Sequence, residues 1–142
     1  MAGKEHASGP HLHTVRVRFA DCDQAGHANT VAYMAYLEAA REEMLFATGM
    51  LKPTVDAREL PIITAKVWIE YLGETFYGDE LEIRTRVARL GTKSFELDHE
   101  VVRAGEEDVL TRGGCVLIRY DYGNKASTPL TGEEREGLGR YA

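Results

Sequence analysis

The sequence has little of what several large classes of protein require. Its 142 residues include two cysteines, Cys22 and Cys115, which are too few for a disulfide framework and fit a reducing, cytoplasmic environment. No apolar run approaches the roughly 18 residues that cross a bilayer. The polar N-terminus does not lead into an apolar signal segment. We therefore expect a cytoplasmic chain without membrane insertion.

Positive charge is also in the minority. The chain has 17 Lys and Arg against 23 Asp and Glu, which gives a net charge of −6. Nucleic-acid binding depends on a positive surface, so no nucleic-acid partner is expected. The sequence also lacks a CxxC pair, an HExxH motif and a glycine-rich phosphate loop, so no metal site or nucleotide cofactor is predicted.

The N-terminal part of the chain changes from an irregular stretch to a strand pattern. Residues 1–12 show no periodicity and predict a flexible tail, which leaves residues 13–142 as one domain. Val15, Val17 and Phe19 alternate with arginines, which is typical of a half-buried strand.

A long helix is predicted over residues 30–48. Asn29 is placed to cap its first turn, and Gly49 is placed to end it. Apolar side chains recur at helical spacing and predict a broad face that lies against a sheet. These side chains are Val31, Met34, Leu37, Ala40, Met44 and Leu45.

Four more strands are predicted between residues 61 and 122. In each of the first three, apolar and polar residues alternate, as in Val67, Ile69 and Tyr71, and turn residues separate the runs. Alternation of this kind favours antiparallel strands with one face in water. The order of elements therefore predicts an α+β domain, with five antiparallel strands and one long helix.

The stretch between the first strand and the helix carries most of the polar chemistry. Residues 21–29, Asp-Cys-Asp-Gln-Ala-Gly-His-Ala-Asn, bring two carboxylates, an imidazole and an amide to a helix N-terminus. The first backbone N–H groups of a helix lack internal partners, and they stabilise negative charge there. A carboxylate beside them could attack a substrate or activate water, which suits acyl transfer or hydrolysis. The same residue types are also ordinary turn formers.

Other motif interpretations fit this stretch less well. It begins like a calcium loop, but Ala25 and Ala32 occupy the fifth and twelfth positions, where oxygen ligands are needed. Aspartyl phosphotransferases also carry Asp-x-Asp after a strand, but their sheet is parallel. Cys22 is disfavoured as a nucleophile, because flanking carboxylates oppose its thiolate form.

These residues resemble the hotdog-fold acyl-CoA thioesterases of the 4-hydroxybenzoyl-CoA thioesterase type. The shared pattern is D-x-D-x-x-G-H-x-N over residues 21–29, followed by Tyr33 and by E-x-A-R over residues 38–41. The resemblance implies a sheet that curls around the long helix and dimerises with a second copy, as a homodimer or homotetramer. It also implies an acyl-CoA substrate and a site at the subunit boundary, with no cofactor apart from the CoA of the substrate.

The resemblance assigns roles to residues of the loop. Asp23 matches the catalytic aspartate, as nucleophile or as general base. The backbone N–H of Thr30 matches the oxyanion donor, and His27 is able to bind the thioester carbonyl or to hold the loop. Gly26 supplies a backbone conformation that other residues resist, and Asn29 is a cap first and a substrate contact second. Asp21 is expected to orient the loop by accepting backbone N–H bonds.

Outside the loop the assignments are fewer. Lys93 matches a family position near the phosphates of the coenzyme. Tyr33 and Tyr36 are expected to be packing residues, and Glu38 and Arg41 have the spacing of a local ion pair on the helix.

The sequence leaves several alternatives open. A non-catalytic hotdog module that binds an acyl thioester or a partner protein is the main alternative to an enzyme. A hotdog dehydratase is less favoured, because its paired histidine and carboxylate are not evident. The acyl preference, the carrier (CoA or acyl-carrier protein) and the role of Asp23 as nucleophile or base are not decided by the sequence.

Overall fold

One long helix, α1 (Thr30–Ala47), lies on a sheet of antiparallel strands in a computed structural model that describes residues 9–53 and 60–142. The long strands are β1 (His11–Arg16), β2 (Ile62–Tyr71), β3 (Glu80–Leu90), β4 (Ser94–Arg103) and β5 (Val109–Asp121). A two-residue strand, β6 (Ala126–Ser127), pairs with β5, and a short helix, α2 (Gly132–Gly139), follows. No helix within the described ranges has the length and apolarity to span a membrane.

The sheet order is β1-β3-β4-β5-β2, and all neighbours are antiparallel. The α+β architecture and the five-stranded antiparallel sheet predicted from the alternation are thus confirmed. The predicted turns connect β2 to β3, β3 to β4 and β4 to β5, and β6 is an addition to the prediction. The N-terminal part of the loop after β1 folds as a short 3-10 turn (Phe19–Asp21).

α1 begins and ends almost where the sequence predicted. Asn29 caps it by accepting the N–H of Ala32 at 2.9 Å, and Gly49 takes a left-handed φ of 80° just after its end. The helix packs mainly over β1 and β3, and it buries Tyr33, Leu37, Ala40, Met44 and Leu45 among others. Val31 was wrongly assigned to this face. It is 79% exposed, because its position in the first turn points away from the sheet.

Two boundaries near the N-terminus also differ from the prediction. β1 begins at His11, so the last two residues of the predicted tail, His11 and Leu12, pair with β3 instead. The ring of His11 packs against Tyr141 from the far end of the chain, a contact that local periodicity does not reveal. Residues 1–8 lie outside the described residues. The predicted strand also ends too late, because Phe19 lies in the 3-10 turn and is 80% exposed.

β2 is the one long strand whose predicted inner face is open. Val67 and Tyr71 are 44% and 46% exposed, because α1 lies mainly over β1 and β3 and covers this edge of the sheet only in part, where Tyr33 packs edge-on against Tyr71. Leu72, just beyond the strand, is exposed as well. β2 is an edge strand, so its outer backbone groups have no neighbour in the described part of the sheet.

Candidate active site

Asp21 ties the loop after β1 to the helix. Its side chain is buried, and it accepts the backbone N–H of Arg18 at 3.0 Å, the Arg18 guanidinium at 2.8 Å and the hydroxyl of Tyr36 at 2.5 Å. The hydrogen bonds from Arg18 are the main reason that the pKa of Asp21 falls to about 2. The predicted orienting role of Asp21 is confirmed, and the carboxylate is committed to structure.

The rest of the loop closes on itself. The N–H of Asp23 donates to the carbonyl of His27 at 2.9 Å, and the N–H of Gly26 donates to the carbonyl of Asp23 at 3.0 Å. Gly26 has a φ of 81°, which confirms that this position needs the left-handed conformation. The N–H of Asn29 then donates to the carbonyl of Asp21 at 2.9 Å. A narrow, hydrogen-bonded hairpin therefore leads directly into α1.

Asp23 lies at the exposed tip of this hairpin. Its Oδ1 accepts the N–H of Ala25 at 2.9 Å, an Asx turn that fixes the side chain relative to the backbone. Its other carboxylate oxygen has no hydrogen-bond partner within residues 9–53 and 60–142. Asp23 is thus positioned by the loop and keeps one oxygen available for a substrate or a water molecule.

The start of α1 provides unused donors near the hairpin. Asn29 Oδ1 satisfies the N–H of Ala32, and the carbonyl of Asn29 accepts from Tyr33. The N–H groups of Thr30 and Val31 have no acceptor in the described part of the chain. The N–H of Thr30 is therefore free to donate, and its role as the oxyanion donor stays a prediction.

His27 is held at the base of the hairpin. Its Nε2 lies 3.4 Å from a carboxylate oxygen of Glu74, and its ring packs edge-on against Phe76. The neighbouring N–H of Ala28 donates to the carbonyl of Thr75, and the hydroxyl of Thr75 bonds to the buried Tyr33. These contacts join the hairpin to the segment after β2 and favour a loop-holding role for His27.

Lys93 is not brought near the hairpin within one chain. It lies in the exposed turn between β3 and β4. Val17, just before the hairpin, donates its backbone N–H to the carbonyl of Asp79, which precedes the other end of β3. The 11 residues of β3 separate these two ends by roughly 33 Å. The assignment of Lys93 to coenzyme binding stays a prediction.

Neither Asp23 nor Thr30 lines any of four well-formed cavities in the described part of the chain. One of them, of about 270 Å³, lies between α1, β2, β4 and β5. Its lining residues are Met34, Leu37, Glu38, Arg41, Thr64, Val67, Trp68, His99, Gly114 and Cys115. The sequence analysis assigned no function to His99.

His99 is a buried titratable group in the wall of this cavity. Its Nδ1 lies 2.8 Å from the hydroxyl of Thr85 on the neighbouring strand. Burial, with a smaller contribution from the guanidinium of Arg41, lowers the pKa of His99 to about 4. The imidazole is therefore neutral at neutral pH. No cluster of three metal-binding side chains occurs in the described ranges.

Comparisons with known proteins agree with this architecture. The family profile of the Thioesterase-like superfamily matches residues 17–136. The acyl-CoA thioester hydrolase YbgC of Escherichia coli O6:H1 is 29% identical over 107 residues, which cover 75% of this chain and 79% of that protein.

Solved structures of thioesterases also match this chain. A thioesterase from Thermus thermophilus, complexed with coenzyme A and Zn, is 28% identical with a TM-score of 0.74, and the match covers 89% of this chain and 90% of that one. A 1,4-dihydroxy-2-naphthoyl-CoA thioesterase from Synechocystis is 16% identical with a TM-score of 0.80, over 92% and 96% of the two chains, and it supports the fold alone. The chain therefore belongs to the Thioesterase-like superfamily and is a thioester hydrolase with the hotdog fold.

Proposed function

We propose that the protein hydrolyses acyl-CoA thioesters to a free acid and CoA, with Asp23 as the catalytic carboxylate. The observation that carries the proposal is the hairpin itself. It fixes Asp23 through the N–H of Ala25, leaves one carboxylate oxygen without a partner among the described residues, and leads directly to the unpaired N–H groups of Thr30 and Val31. A carboxylate and two aligned donors are what attack on a thioester carbonyl requires.

Two routes use these groups. As a general base, Asp23 takes a proton from water, the resulting hydroxide attacks the thioester carbon, and the tetrahedral oxyanion accepts the N–H of Thr30. The C–S bond then breaks, and the proton passes to the thiolate of CoA. As a nucleophile, Asp23 attacks the carbon itself, the thiolate leaves, and water hydrolyses the mixed anhydride. In single turnover with ¹⁸O-labelled water, label enters the Asp23 carboxylate only if Asp23 forms the anhydride and water attacks its carboxyl carbon, so labelled Asp23 identifies the nucleophile.

The proposal includes a second copy of the chain at the β2 edge. Asp23 is exposed, so the hairpin of one chain leaves the proposed catalytic carboxylate open to solvent. β2 offers free backbone groups together with the exposed side chains of Val67, Tyr71 and Leu72. Antiparallel pairing of two β2 strands would continue the sheet and bury this apolar surface. Light scattering on the purified protein distinguishes a dimer from a tetramer, and a monomer would contradict this part.

Replacing Asp23 by Asn tests the catalytic role. The change keeps the size and the Asx-turn acceptor but removes the charge, so thiol release from acyl-CoA esters should fall by about 10² or more. The matched control is Asp108→Asn, which alters an exposed carboxylate in the turn before β5. Equal unfolding midpoints for both variants would show that the loss is chemical. Undiminished turnover by Asp23→Asn would contradict the assignment.

The alternative is a hotdog module that binds an acyl thioester or a partner protein without cleaving it. It predicts saturable binding of acyl-CoA by the wild-type protein with no release of thiol. The same assay with acyl-carrier-protein thioesters identifies the carrier.

The free thiols of Cys22 and Cys115 support the proposed cytoplasmic location.

A further inference from the structure

One stripe of α1 connects the proposed oxyanion donor with the cavity of about 270 Å³. Three residues follow Thr30 at helical spacing, four, seven and eleven positions later, so they lie on the same side of the helix as Thr30. They are Met34, Leu37 and Arg41. Met34, Leu37 and Arg41 line the cavity, whose opposite wall includes Val67. An acyl group bound at Thr30 therefore has an apolar path along α1.

A positive charge stands at the far end of this path. The 11 residues from Thr30 to Arg41 correspond to about 16 Å along the helix axis. A long side chain on a helix leans towards the N-terminus, so the guanidinium of Arg41 lies somewhat closer than this to Thr30. Arg41 is half-buried and lines the cavity together with His99 and Cys115 of the sheet, and its charge contributes to the pKa shifts of both. The guanidinium is thus directed to the sheet side of the cavity.

Arg41 has no carboxylate partner in the part of the chain that the structure describes. The predicted pair with Glu38 is absent, because no oxygen of Glu38 lies within 4.0 Å of the guanidinium, although the spacing would allow it. A guanidinium keeps its charge at any ordinary pH. A partly buried charge without a partner is unfavourable unless something supplies one.

The surroundings of Arg41 leave room for an anion. Burial keeps His99 neutral, and burial raises the pKa of the Cys115 thiol, so this thiol stays neutral as well. Neither side chain therefore places a negative charge beside the guanidinium. Glu38 is the exception, since it also lines the cavity. It is exposed and lies one turn nearer the helix N-terminus than Arg41. Glu38 should therefore weaken the binding of an anion without occupying the site.

We propose that this cavity receives the far end of the acyl group and that Arg41 binds a carboxylate there. The preferred substrates are then CoA monothioesters of medium-length dicarboxylic acids, and Arg41 determines that specificity. The inference rests on the proposed function, because it places the thioester carbonyl at Thr30. Arginine suits this role, since its planar guanidinium binds a carboxylate through two hydrogen bonds.

The test compares suberyl-CoA with octanoyl-CoA, which have equal chain length and differ in the terminal carboxylate. The wild-type protein should hydrolyse suberyl-CoA with a kcat/KM at least about tenfold higher. Arg41→Met should remove this preference, because kcat/KM should fall far more for suberyl-CoA than for octanoyl-CoA. The matched control is Arg86→Met, which removes an exposed arginine of β3 outside the cavity. Glu38→Gln should shift the preference in the opposite direction, towards the carboxylate-ended ester.

Binding gives a second readout that does not depend on turnover. Titration of Asp23→Asn with the two esters should show the same preference for suberyl-CoA, and the double variant with Arg41→Met should not. A wild-type preference for octanoyl-CoA, or an equal loss with both esters in Arg41→Met, would overturn the inference. If Arg41→Met does not fold, the wild-type ratio and Glu38→Gln still decide it. Absence of thiol release from both esters would instead count against the proposed function.

Discussion

The hydroxyl of Tyr36 donates a hydrogen bond of 2.5 Å to Oδ2 of Asp21, and this contact joins the second turn of α1 to the loop that precedes it. Arg18 donates to the same carboxylate from the other side. The helix and the end of β1 are thus held to one buried anion. Because Asp23 follows two residues later, the Tyr36–Asp21 contact fixes the base of the hairpin that carries the proposed catalytic group.

Replacing Tyr36 by Phe tests this contact. The variant keeps the ring in the core but leaves a buried carboxylate oxygen with one donor fewer, so the free energy of unfolding should fall by about 1–3 kcal/mol. Urea denaturation measures the loss. Tyr122→Phe is the matched control, because Tyr122 is exposed and its hydroxyl makes no hydrogen bond within the described residues. Equal stability of Tyr36→Phe and the control would contradict the anchoring role.

The sequence was sufficient for the fold because local patterns determine it. Alternation defined the strands, and Asn29 and Gly49 marked the two ends of α1 almost to the residue. The errors came from long-range contacts. His11 pairs with β3 and packs against Tyr141, and Val67 stays exposed because α1 lies mainly over β1 and β3 and leaves the β2 edge open. Periodicity indicates which side chains share a face but not what covers that face.

The site could be predicted only in part, for a related reason. The motif located Asp23, Gly26 and Asn29, whose conformations depend on their neighbours in the chain. Tyr36 had been expected only to pack, yet it also binds Asp21 from 15 residues away. The proximity of Arg41 and His99 depends on how α1 sits on the sheet, so no pattern along the chain shows it.

Gly26 provides a test of the hairpin geometry. An added Cβ there would meet no atom within 4 Å, so a substitution acts through the backbone alone. Gly26→Ala should cost about 1–2 kcal/mol, because an L-residue is strained at a φ of 81°. Gly26→Asn is the matched comparison and should cost less, since asparagine tolerates this conformation. Thermal or urea unfolding measures both, and an unchanged stability of Gly26→Ala would show that the left-handed conformation is not required.

Two substitutions of Asn29 separate capping from catalysis. Aspartate caps a helix as well as asparagine, so Asn29→Asp should keep nearly wild-type stability, whereas Asn29→Ala should lose about 1 kcal/mol. Aspartate also adds a negative charge beside the N–H of Thr30, where the oxyanion is proposed to form. Thiol release by Asn29→Asp should therefore drop by at least about tenfold. Turnover equal to that of the wild type would indicate that no anion develops at this end of the helix.

The buried imidazole of His99 should make stability depend on pH. Its pKa is about 4 in the folded protein, against an ordinary value of 6.5. Between these values the unfolded chain binds a proton that the folded chain does not, so acid favours unfolding. This contribution to stability is complete when the pH is above the ordinary pKa of 6.5, declines as the pH falls and is lost near the folded pKa of about 4. The free energy of unfolding changes through this group by at most about 1.4 kcal/mol per pH unit.

His99→Asn removes the titrating group while keeping a polar atom near the hydroxyl of Thr85. Urea unfolding of both proteins from pH 7 down to pH 5 isolates the effect, because the other titrating groups are common to both and cancel in the difference. The wild-type protein should lose more stability than the variant over this range, even if the variant starts from a lower value. Parallel pH profiles would mean that the folded protein accommodates a charged His99, and the imidazole would then have to reach solvent through the cavity beside Arg41.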